Sequence, residues 1–146
     1  MQISSRFTIA IHVLTAIDMF QNDYKITSSF LAASVNVNPV IIRKVMQQLK
    51  AAGLIAVRRG SGGMTITRPL PDITFLDIFR AVDCIEAGRL FHFHENPNAL
   101  CPVGRNIHAG LDDKLSSIQT AMEEAMKNLT IADVVRDTQQ KIAAEH

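Results

Sequence analysis

The chain has 146 residues, 47% of them apolar, and two cysteines; that is one domain's length with enough apolar material for a core. No run reaches the about 18–20 apolar residues of a membrane span, and the stretch after Arg6, broken by His12, Thr15 and Asp18 with no small-residue cleavage site, does not read as a secretory signal. The 15 bases and 14 acids nearly balance, yet Tyr24 through Pro71 holds seven bases and no acid, leaving 8 bases against 14 acids elsewhere, and such a basic block suits a polyanion, nucleic acid first, rather than a core.

Residues 4–20 repeat apolar positions at helical spacing: Phe7, Ala10, Ile11, Leu14, Ile17 and Phe20. Asn22-Asp23 ends this helix. A second, shorter helix starts at Thr27 or Ser28, either of which can cap it, buries Phe30 and Leu31, and ends near Asn36. Asn38-Pro39 opens a third: asparagine accepts from orphan amides, and proline suits a first position that needs no donor. That helix runs to about Ala52, with Gly53 as its left-handed stop. Two short helices joined by a tight turn form a helix-turn-helix.

Leu54-Ile55-Ala56-Val57 and Met64-Thr65-Ile66-Thr67 then read as short strands around Arg58-Arg59-Gly60-Ser61-Gly62-Gly63, a hairpin with a glycine tip, or wing. A nucleotide-binding loop fits less well, because no Lys-Ser/Thr follows and the next element is a strand. Asp72 through Cys84 reads as a helix capped by Thr74, burying Phe75, Ile78, Phe79 and Val82, and 88–100 as irregular. From Pro102 a long helix carries Ile107, Leu111, Leu115, Ile118, Met122, Ala125 and Leu129 at steps of three and four. So long a seam exceeds the needs of one small domain and suits a two-fold mate, although a core helix in a monomer would carry the same pattern. Thr130 with Asp133 caps a short last helix that ends in a polar tail. The fold class is therefore mainly α: a winged helix-turn-helix over residues 1–71, then a linker helix, a loop and a dimerisation helix over 72–146.

On the third helix Val45 and Leu49, with Ile41 or Ile42, make the inward stripe, leaving Arg43, Lys44, Gln47 and Lys50 outward. A recognition helix needs this split between an apolar back and long donors at the front. Asn38 and Val40 are set to lie deepest in the major groove. Specificity falls to Arg43, Lys44 and Gln47, and general affinity to Lys25, Lys50 and Arg58; Arg59 suits either role.

The segment from Val37 through Leu49, then Ala52-Gly53-Leu54-Ile55, then Arg59-Gly60-Ser61-Gly62-Gly63-Met64, resembles the Rrf-two family of bacterial winged-helix regulators. Ser4-Ser5-Arg6-Phe7 and Ile73-Thr74-Phe75-Leu76-Asp77-Ile78 also fit. The resemblance implies a homodimer that binds double-stranded DNA at a pseudo-palindromic operator, usually as a repressor; two cysteines without an export signal suit a reducing cytoplasm. Arg43 stands where several members carry an acid, which implies a different preferred sequence, and Met64 replaces a common wing tyrosine.

Cluster-binding members carry three cysteines before the dimerisation helix; the matching positions here are Arg89, Glu95 and Cys101. With two thiolates missing, no cluster and no other cofactor is expected. His92, His94, Glu95 and His108 read as solvated side chains rather than a metal site. Cys101, just before Pro102, falls at a helix start where free amides and the dipole favour thiolate. Some thiol-switch members use a cysteine in this region. Redox sensing at Cys101, resolved by Cys84 or by Cys101 of a second subunit, is thus one reading of control, and two inert thiols is the other. An enzyme built on Cys101, His108 and Asp112 lacks an oxyanion loop and is set aside. An adaptor that keeps the fold and binds protein remains the competing class.

Overall fold

A computed structural model of the chain describes residues 4–58, 63–82 and 89–145. Its elements are α1 (Ser5–Phe20), α2 (Ser28–Val35), α3 (Pro39–Ala51), β1 (Ile55–Val57), β2 (Met64–Ile66), a 3-10 turn (Leu70–Asp72), α4 (Phe75–Val82), α5 (Pro102–Lys127) and α6 (Ile131–Ala144). The mainly α winged helix-turn-helix is the observed architecture. Arg59, the glycine tip at 60–62 and Cys84 lie outside the described residues.

Local chemistry starts each helix. Ser4 accepts from the Arg6 amide at 3.2 Å and Thr27 from the Phe30 amide at 3.1 Å. Asn36 closes α2 in the left-handed region at φ 62°, and Gly53 at φ 76° turns the chain from α3 into β1. A side chain is strained at that second position, so glycine fits. β1 and β2 pair antiparallel with Ile55 opposite Ile66 and Val57 opposite Met64. An Arg58 N–H to Gly63 C=O bond of 2.9 Å extends the ladder toward the tip.

Helix α1 is the hub, packing against α2, α3, α4, α6 and β2. Enclosure on several sides explains why it buries Val13 and Ala16 besides the expected Ala10, Leu14 and Ile17. One hydrophobic cluster joins these to Leu31, Ile42, Val45, Leu49, Leu54, Met64, Ile78, Val82, Ile131 and Val135, so packing continues across residue 71.

Two elements depart from the sequence reading. Helix α4 begins at Phe75 rather than Asp72, because Leu70-Pro71-Asp72 forms a 3-10 turn, while the cap is Thr74 as expected. The Asp77 amide donates to Thr74 Oγ1 at 3.1 Å while Asp77 Oδ2 accepts from the Thr74 amide at 3.0 Å. The last helix is not short: α6 runs 14 residues, opens on a full Thr130–Asp133 capping box and buries Ile131 and Val135 against α1 and the 3-10 turn. Its start is tied down by a Thr74–Thr130 bridge and by the Ile131 amide donating to the Ile73 carbonyl at 3.0 Å.

Helix α5 is different. None of its 26 residues is buried within the chain. Ile107, Leu111, Leu115 and Met122 are half-buried, and Ile118 is exposed. Among the described residues, no helix is long and apolar enough to cross a membrane.

Candidate nucleic-acid interface

Helix α3 is fixed at its start by Asn38, whose Oδ1 accepts from the Val40 N–H at 2.9 Å. This cap takes one of the two lone pairs of the oxygen and leaves the Asn38 NH2 free to donate to a ligand. The inward stripe is Ile42, Val45 and Leu49, all fully buried. Of the two candidates Ile41 and Ile42, burial selects Ile42, and Ile41 is 41% exposed. The opposite face presents Val40, Arg43, Lys44 and Gln47, spaced i, i+3, i+4 and i+7 and all exposed, with exposed Lys50 beside them. Gln48 is the tie to α4: its Nε2 donates to the Val82 carbonyl at 3.4 Å.

Lys25 and Arg58 are 33 positions apart in sequence, yet they line one notch of about 180 Å³ where the α1–α2 turn meets the hairpin. Gln21, Tyr24, Ile26, Gly63, Met64 and Thr65 complete it, with no acid among them. Sequence reasoning missed Gln21 and Tyr24 here; the available signal was the Tyr24-Lys25 adjacency. Tyr24 is held by edge contact with Phe20 (5.9 Å) and by a tilted contact with Phe30 (5.7 Å) while staying exposed.

The basic block divides by pairing. Arg68 meets Asp77 at 3.6 Å. Among the described residues, no carboxylate lies within ion-pair distance of Lys25, Arg43, Lys44, Lys50 or Arg58. Other ion pairs among the described residues involve Arg80, Lys114, Lys127 and Arg136, outside that block. Five bases thus keep their field for an outside anion, screened by salt alone.

Comparison with known proteins gives this arrangement a context. The Rrf2 family model, described as "Iron-dependent Transcriptional regulator", matches residues 3–137. The chain belongs to the Rrf2 family. A protein named as an HTH-type transcriptional regulator, YwnA of Bacillus subtilis, is 41% identical over 133 residues, covering 91% of this chain and 96% of that one. A solved structure described as a DNA-binding protein is 36% identical with a TM-score of 0.72, covering 89% of this chain and 98% of that one. IscR of T. potens shares the fold at a TM-score of 0.68 and 18% identity, covering 97% of this chain and 90% of its own. The Rrf2 chain is accordingly a transcriptional regulator, and its family is one of regulators rather than enzymes.

The family description raises iron, and the described donors do not fit it. Of Arg89, Glu95 and Cys101, the first cannot ligate a cation and only the last offers a thiol. His108 Nε2 is engaged with the His94 carbonyl at 3.0 Å, and its ring packs on Phe93 at 4.6 Å. Among the described residues no group of three His, Cys, Asp or Glu gathers to hold a metal ion. Cys101 does take the N-cap of α5, half-buried and unpaired, but its thiol makes no capping hydrogen bond. The loop ahead of α5 is anchored elsewhere, by the Leu90 N–H donating to Gln119 Oε1 at 3.0 Å.

Proposed function

We propose that the Rrf2 chain is a sequence-specific DNA-binding repressor that acts as a homodimer on a pseudo-palindromic operator. The observation that carries this reading is the outward face of α3: three long donors and one apolar side chain in register, backed by a fully buried stripe and surrounded by bases without acidic partners. Arg43, Lys44 and Gln47 read base edges, while Lys25, Lys50 and Arg58 bind phosphates and Arg59 serves either role. The partly covered seam of Ile107, Leu111, Leu115, Ile118 and Met122 is the surface that a second copy completes. The test is a mobility shift on the chain's own upstream region across a salt series. Neutralising about six to eight phosphates gives a slope of log K against log salt of roughly −5 to −7. A flat line, or equal affinity for unrelated duplexes, refutes the reading and favours a protein-binding adaptor.

Control is assigned to oxidation at Cys101, supported by its unpaired, half-buried thiol at the start of the dimer helix. Titrating operator binding with diamide or peroxide tests this. Equal binding by wild type and Cys101→Ser through the titration removes the thiol switch and leaves the DNA reading intact.

A further inference from the structure

The outward face of α3 has one residue out of character. Val40 is 58% exposed and sits in the first turn, with Arg43 and Lys44 one turn on and Gln47 two turns on. These positions stack along a single face, so the valine lies in line with the donors, at the amino-terminal end of their row. Nothing in the fold needs it there: the apolar work of α3 is done by Ile42, Val45 and Leu49 on the opposite side. A β-branched side chain in a helix is held close to one rotamer, so Val40 presents a rigid pair of methyl groups. The cap bond from Asn38 fixes the backbone beneath it.

An apolar knob framed by cations and an amide has one complementary feature in a DNA major groove, the C5-methyl group of thymine. The other groups that distinguish base pairs in that groove are hydrogen-bond donors and acceptors, which Val40 would desolvate without a partner. We infer that Val40 reads a thymine methyl in each operator half-site, and that Arg43, Lys44 and Gln47 read the neighbouring base edges. The absence of acids from Tyr24 through Pro71 argues for nucleic acid as the occupant of this face, over a protein partner of mixed charge.

This inference rests on the DNA-binding reading, and its test separates the two. Duplexes selected from a random pool by the full-length protein should share a thymine at a fixed place in each half-site. Replacing that thymine by deoxyuridine deletes only the methyl group. Affinity should fall about fourfold per half-site, the effect of one buried methyl-sized group. Val40→Ala should bind the thymine duplex more weakly and be indifferent to the uridine exchange. Because the side chain is exposed, its melting curve should match wild type. Two results overturn the methyl contact while leaving DNA binding in place: selected duplexes without a shared thymine, or a uridine penalty that persists undiminished in Val40→Ala. No enrichment of any duplex overturns both.

Discussion

Ile118→Ala is the sharpest test of the proposed dimer, because its effect on folding and its effect on association are separable. The side chain is 53% exposed within the chain, so trimming it removes little of the intrachain core. Full burial of an isoleucine is worth about 1.5–3 kcal/mol, and the exposed half gives about 1 kcal/mol per copy if the mate covers it. Two-fold symmetry applies the change twice, so dimerisation weakens by about 2 kcal/mol, roughly 30-fold in Kd. Ile118→Glu should go further, since a carboxylate then enters the seam without a partner. Sedimentation equilibrium at micromolar concentration reads the mass, and a thermal melt of the monomeric fraction reads the fold. The outcome that refutes the seam is an Ile118→Glu protein that remains dimeric with wild-type affinity. A variant that unfolds instead would place Ile118 in the chain's own core, against its exposure.

Lys25→Ala and Arg58→Ala should each flatten the salt slope of DNA binding by about 1, and the double variant should lose less than the sum, because both bases line one notch; full additivity shows that they meet different phosphates. Gly104→Ala should disturb the start of α5, since a Cβ there would run into the Asn98 carbonyl oxygen; faster amide exchange or faster Cys101 alkylation reads it, and unchanged rates refute it. The Asp133 carboxyl is held below its ordinary range first by the Thr130 amide hydrogen bond. A depressed folded value means the contribution is fully present above the ordinary carboxylate range and fades as pH falls through the lowered value. Asp133→Asn should therefore melt below wild type at neutral pH, with the gap closing in acid; a gap independent of pH refutes the capping role.

How much of this was legible in the sequence follows from how local each signal is. Thr27, Asn38 and the Thr130–Asp133 pair act within three residues of themselves, so their caps could be read directly and stand in the structure. The α3 stripe was legible to within one position, and burial had to choose between Ile41 and Ile42. The Thr74 cap of α4 was legible, but the bound at Asp72 fell early because Pro69 and Pro71 shape a 3-10 turn there. The docking of α6 was out of reach: its partners, Ile73 and α1, are about 58 or more positions upstream and leave no periodic trace. The Lys25–Arg58 notch is non-local in the same way. Composition marked both bases, but nothing in the spacing said that they meet.

The distribution of burial bears on how control would reach DNA. Helix α3 is seated by three fully buried side chains and tied to α4 through Gln48, and α6 returns to brace α1 from the other end of the chain. Residues of α4, α6 and the helix-turn-helix share one cluster. Such a unit moves as a body, because close-packed interiors shift between arrangements rather than deform. Helix α5 has no buried residue of its own; it packs against α4, and its ion pair there, Arg80 with Glu123 at 4.0 Å, is partly exposed and so weak. A signal arriving at the loop before α5 therefore acts most readily on the junction between that helix and the rigid unit. In a dimer this changes the distance and angle between two intact recognition helices. The expected signature is an altered tolerance for half-site spacing with the half-site sequence unchanged, since spacing is set by the dimer and sequence by α3.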